Sequence, residues 1–201
     1  MTSTLTTPPL DLRRFYEKEW NEHQSVAIAT YEMLFPAFTE WVETAAFAIQ
    51  HGRKLLFFGN GGSAGDSQHL ATELTVRFKT NRKALPALSL TTDSSALTAI
   101  GNDIGFDSIF SRQIEALGEE GDVAIGISTS GKSPNVLQAF KEARNKKLVT
   151  VGLTGKSGGD FHGNADIILS VPSDTVSRIQ EMHITLGQMF VGALEYRLGL
   201  V

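Results

Sequence analysis

The stretch 55–73, LLFFGNGGSAGDSQHLATE, constrains the chain most. Four apolar residues, Leu55 to Phe58, are too short for a helix and read as a buried strand. Gly59, Asn60, Gly61 and Gly62 then allow a tight turn and a close approach of backbone to a ligand. Ser63 is expected to cap a helix, with Asp66 three residues on in the position of a capping box. That helix carries Gln68, His69 and Glu73, and the four-residue spacing of His69 and Glu73 places them on one face. A strand, a glycine turn and a helix N-terminus together make a site for an anion or polar ligand, because unpaired backbone N–H groups point outward there.

The same layout recurs downstream. Val123 to Ile127 reads as a strand and empties into Ser128, Thr129, Ser130, Gly131, Lys132 and Ser133, with a helix over about 136–145. Hydroxyls and a helix N-terminus suit a phosphate. The glycine and lysine spacing is not that of a nucleotide-binding P-loop, so a sugar phosphate is the better match. Further strands are expected over 85–90, 148–153 and 167–171, with helices over 95–100, 106–117 and 177–197. Gly101 and Gly105 bracket Asn102 and Asp103 in what reads as a loop, where Asp103 can meet a polar ligand. Strands alternating with helices predict a parallel sheet with helices on both faces and a ligand crevice at the strands' carboxyl ends.

Ahead of the first strand, Asp11 can cap a helix over 12–35, and Pro36 can open a second over 37–50. Trp20, Phe35, Phe38 and Trp41 give this pair a large apolar surface, either to cover the sheet or to pack against another subunit. Residues 1–10, rich in Thr and Pro, are expected to form a flexible tail, leaving 11–201 as one domain with a helical extension at 11–51. Arg77 lies in a basic segment after the first ligand loop's helix, and on the last helix Gln180 and Gln188 recur two turns apart on one face.

With no cysteine, thiolate chemistry and disulfides are excluded, and a metal would have to use His, Asp, Glu or an amide. A net charge of −4 without a dense basic cluster argues against nucleic acid. No apolar run reaches the length of a membrane span, and the N-terminus lacks a signal pattern, so a cytoplasmic protein is expected.

The segments GNGGSAGDSQHLATEL (59–74), LTTDSSALTAIGND (90–103), FSRQ (110–113), GISTSGKSPNV (126–136) and RIQEMHI (178–184) together resemble the phosphoheptose isomerases of the sugar isomerase (SIS) domain family. The resemblance implies a five-stranded parallel sheet flanked by helices, with the long N-terminal helices used for oligomerisation into a homotetramer whose sites lie at subunit interfaces. It also implies interconversion of sedoheptulose 7-phosphate and D-glycero-D-manno-heptose 7-phosphate through an enediol, on the way to ADP-heptose for lipopolysaccharide or other glycans. By motif match, Ser128, Thr129, Ser130 and Ser133 hold the phosphate, and Asn60, Gly61, Ser63, Arg77, Asp103 and Gln180 contact the sugar or order the site. Glu73 falls on the catalytic carboxylate. His69, Glu73 and Gln180 fall on positions that bind zinc in some members, and no nucleotide or redox cofactor is implied. Position 188 departs from the pattern: the family places a catalytic, metal-binding histidine where this chain has Gln188, which can hydrogen-bond and ligate weakly but cannot titrate. The alternative left open is a catalytically weak or inactive SIS protein that binds a sugar phosphate or a replication initiator.

Overall fold

The structure, a computed structural model, describes residues 11–201. The expected tail at 1–10 lies outside the described residues. In chain order the elements are α1 (Leu12–Gln50), β1 (Leu55–Gly59), α2 (Gly62–Thr75), β2 (Ala87–Ser89), α3 (Ser94–Asp103), α4 (Ser111–Leu117), β3 (Val123–Ile127), α5 (Pro134–Asn145), β4 (Val149–Thr154), β5 (Ile167–Ser170) and α6 (Val176–Arg197). Short 3-10 turns cover Phe106–Ser108 and Gly159–Phe161. The five strands form one all-parallel sheet in the order β2-β1-β3-β4-β5, as expected of this fold class.

The strands are continuous apolar runs because both faces are covered. Leu55, Phe57, Val123, Ile125, Val151 and Leu153 face a core shared with α1, α2 and α6. Leu56, Phe58 and Ala124 face the opposite core, built from Ile114 of α4, Val136 and Phe140 of α5, and Phe161. Two strand glycines admit the large rings of that second core. A Cβ on Gly126 would lie 2.6 Å from Phe140 Cζ, and one on Gly152 would lie 2.5 Å from Phe161 Cδ2.

Where two N-terminal helices were expected there is one, 39 residues long, with Pro36 inside it. Its length is about 58 Å at 1.5 Å per residue. A mid-helix proline disfavours the helix by about 3 kcal/mol. Packing on both sides of it outweighs that term: Val26, Thr30 and Leu34 are buried before Pro36, and Trp41, Val42 and Ala45 after it. Asp11 caps the helix as expected, its carboxylate accepting from Arg14 N at 3.1 Å. Trp41 stacks on Phe190 of α6 with ring centroids 3.9 Å apart and planes within 4°. The four large residues therefore divide. Trp41 and Phe38 belong to the core, whereas Trp20 (52% exposed) and Phe35 (71% exposed) project from the chain.

Three further expectations are corrected. The cap of α2 is Gly61, with φ of 57°, and Ser63 sits inside the first turn with no capping bond, because the glycine turn closes two residues earlier. Helix α3 runs through Gly101 to Asp103, so the Asn102–Asp103 pair ends a helix instead of forming a loop. Strand β2 keeps only Ala87–Ser89 of the expected 85–90, since among the described residues it is a sheet edge that pairs with β1 alone. The bounds of the other helices and strands move by one or two residues, apart from α4, which starts at Ser111 after the 3-10 turn.

Candidate active site

At the carboxyl ends of β1 and β3 the two ligand loops are tied together. Asn60 Nδ2 donates to Asn135 Oδ1, and Asn135 Nδ2 donates back to Asn60 Oδ1, each at 2.9 Å. Asn135, 1% exposed in the first turn of α5, is a residue that motif reading passed over. Its position inside a helix start, beside the serines, was the available signal. Gly59 needs to be glycine, since a Cβ there would sit 2.7 Å from Ile127 O of the neighbouring strand.

In the second loop Ser128 Oγ lies 2.9 Å from Ser133 Oγ and 3.4 Å from Ser130 Oγ, so three hydroxyls converge at the mouth of α5. Ser133 is the cap residue of α5 and Pro134 its first helical residue. Gly131, at φ of 64°, turns the loop back. Thr129 O accepts Gly155 N at 3.1 Å, which ties the loop to the segment after β4.

Helices α2 and α6 run alongside each other and carry the remaining groups. The Gln180 amide lies against the start of α2, where a Cβ on Gly62 would meet its Nε2 at 2.7 Å. Further along, His69 Nε2 lies 3.1 Å from Glu73 Oε1 and 3.1 Å from Gln188 Nε2. His69, Glu73 and Gln188 are thus brought into contact, while Gln180 sits two turns earlier on α6. The Glu73 side chain is 22% exposed and that of His69 50%. Asp66 shares their face at i, i+3 and i+7, a spacing readable in the sequence but not used. Burial raises its carboxyl above the ordinary range, and nearby His69 opposes that shift. Arg77 follows α2 on the exposed surface. Asp103, also exposed, accepts from the Asn102 amide at 2.7 Å.

No group of three or more His, Cys, Asp or Glu side chains clusters among the described residues. An imidazole nitrogen, a carboxylate oxygen and a side-chain amide nevertheless meet at His69, Glu73 and Gln188. Turned with its oxygen inward, the amide would complete three protein donors, an acceptable if weak set for zinc. Among the described residues, no helix is long and apolar enough to cross a membrane.

A parallel sheet carrying a hydroxyl-lined loop and a carboxylate-bearing helix at its carboxyl edge defines a sugar-phosphate-binding α/β domain. Residues 20–155 match the SIS domain model. The chain is 55% identical over 170 residues to a phosphoheptose isomerase from Campylobacter jejuni subsp. jejuni serotype O:6, covering 85% of this chain and 91% of that protein. A solved phosphoheptose isomerase from Francisella tularensis aligns with a TM-score of 0.90 at 34% identity, covering 93% of this chain and 100% of the other. Its counterpart from Neisseria gonorrhoeae gives 0.87 at 39%, covering 92% and 99%. The chain belongs to the SIS domain family and, within it, to the phosphoheptose isomerases. The names of these relatives favour the enzymatic reading over that of an initiator-binding protein.

Proposed function

We propose that the chain interconverts sedoheptulose 7-phosphate and D-glycero-D-manno-heptose 7-phosphate through an enediol. The observation that carries this is the linkage between the two loops: Asn60 and Asn135 hold the serine cradle against the loop that launches the Glu73 helix. Ser128, Thr129, Ser130 and Ser133 hold the phosphate with the N-terminus of α5. Asn60, Gly61, Ser63 and Gln180 line the sugar's path. Glu73 takes a proton from C1 of the ketose and returns it to C2, one carboxylate serving both half-reactions. The hydroxyl proton must also move from O1 to O2. Gln188 can orient those oxygens but cannot exchange a proton with them. His69, in contact with both Glu73 and Gln188, is a titratable group of the cluster that can do so while no metal occupies its Nε2.

His69, Glu73 and Gln188 would hold zinc, with Gln180, two turns earlier on α6, as the further ligand expected from the resemblance, and the metal when bound supplies polarisation of the carbonyl oxygen. The exposed Tyr16, Trp20, Tyr31 and Phe35 on α1 support assembly into a homotetramer, and the outward placement of Arg77 and Asp103 supports sites completed at subunit interfaces. The product class fits a supply of heptose for lipopolysaccharide or other surface glycans. Incubation with sedoheptulose 7-phosphate, with and without zinc, should yield the aldose phosphate. A folded protein that gives no product under either condition rejects the assignment.

A further inference from the structure

Past the His69–Glu73–Gln188 contact, the seam between α2 and α6 ends in a buried ion pair that the reaction does not use directly. Arg82 comes from the segment between α2 and β2, and Glu195 from α6, seven residues after Gln188. Arg82 Nε donates to Glu195 Oε1 at 2.7 Å, with side chains 2% and 1% exposed. The rest of the guanidinium is aimed mainly at α2, with Nη1 also donating to Lys83 O at 3.2 Å. Nη2 donates to Glu73 O at 2.8 Å and Nη1 to Leu74 O at 2.7 Å. These carbonyls belong to the last turn of α2, where helix geometry leaves acceptors without intrahelical donors, and Leu74 O also accepts Leu85 N at 3.0 Å. One of them is the backbone carbonyl of the residue whose carboxylate moves the proton.

The geometry points to Arg82 and Glu195 as positioning residues for Glu73, an inference that rests on the isomerase reading above. Helix α6 meets α2 at His69 through Gln188 and, two turns on, at Glu73 through Glu195 and Arg82. Beside the first of these contacts Gly187 lets the helices close, since a Cβ there would lie 2.7 Å from Leu70 Cδ1. The clamp fixes the backbone of Glu73 relative to the helix that carries the opposing group. Positional errors of about 1 Å can lower the rate of such chemistry on the order of a hundredfold. A planar fork spanning a carboxylate and two carbonyls is a task for arginine, which a lysine ammonium cannot reproduce.

The test uses Arg82→Lys, which keeps the charge facing Glu195, and Glu195→Gln, which keeps an acceptor for Arg82. Steady-state turnover of sedoheptulose 7-phosphate is measured together with amide hydrogen exchange across residues 70–78, for wild type and both variants. The expected result is kcat lowered roughly 10–100-fold, with KM within about twofold because the serine cradle is untouched, and exchange in the last turn of α2 faster by about tenfold or more. Wild-type kcat in both variants overturns the inference, even if exchange rises, because the pair would then be structural only. If wild type itself gives no product, the isomerase reading is what fails, and exchange alone judges the clamp: a variant pattern equal to wild type overturns it.

Discussion

Lowering the pH should destabilise this fold through one histidine. His183 is fully buried on α6, and its Nε2 lies 3.1 Å from Thr154 O at the end of β4. A carbonyl can only accept, so Nε2 carries a hydrogen. Nδ1 has no hydrogen-bond partner among the described residues. A proton added there would place a charge in the core. Burial therefore pulls the pKa from 6.5 down to about 4, against a smaller opposing effect of the Thr154 bond. The unfolded chain takes up this proton near pH 6.5, and the folded one only near 4. Between those values the unfolded state binds more protons, so the stabilisation is complete above about 6.5 and is lost as pH falls toward 4. The loss amounts to about 3 kcal/mol, a large share of a typical folding stability of roughly 5–15 kcal/mol. For a chain of this size that is on the order of 6–12 °C in Tm. Thermal unfolding at fixed protein concentration, from pH 8 to 4.5, would compare wild type with His183→Gln, whose amide can still donate to Thr154 O. Ionised carboxylates lose stability with acid in both proteins, so the difference between the two curves isolates the histidine. The variant should show the shallower pH dependence. Parallel curves across pH 4.5–6.5 would refute the assignment of a neutral, proton-resisting His183.

Three other outcomes follow from the site. Gln188→His restores a titratable group at the contact with His69 and should raise kcat by about tenfold or more, measured in the same assay; an unchanged rate shows that position 188 is not the deficit. Asn135→Ala leaves the Asn60 amide without its reciprocal partner and should raise KM severalfold while destabilising the fold by about 1–3 kcal/mol, measured by kinetics and chemical denaturation. Ser133→Ala removes one of the converging hydroxyls and should weaken competitive inhibition by inorganic phosphate, read as a higher inhibition constant with kcat little changed.

The sheet was readable because strands covered on both faces are short unbroken apolar runs, as at Leu55 to Phe58 and Val123 to Ile127. The loops were readable because glycines and hydroxyls follow those runs directly. Helix continuity was not. Pro36 and Gly101 are local breakers overridden by packing and by the surrounding turn, which no window of sequence displays. Ser63 misled in the opposite direction, as a good capping residue pre-empted by Gly61. In the site, Asn60, Ser128, Ser133, His69 and Glu73 could be picked from local pattern. Their partners Asn135 and Gln188 lie 75 and 119 residues away, and the Arg82–Glu195 pair joins residues 113 apart. Such pairings exist only once the strands have set the helices side by side. Glu195 did carry a trace of it, as a charge in register with the buried Val191 and Leu194 of α6.

The most direct measurement is the turnover of sedoheptulose 7-phosphate by wild type and Glu73→Gln, prepared side by side. Glutamine keeps the size and the contact with His69 but cannot carry the proton between C1 and C2. The predicted result is wild-type conversion to the aldose phosphate and a loss on the order of 10²–10⁴-fold in kcat for the variant, with similar binding of inorganic phosphate. A Glu73→Gln protein that turns over at the wild-type rate would contradict the account, because the carboxylate around which the two loops and the α2–α6 seam are arranged would not be the base.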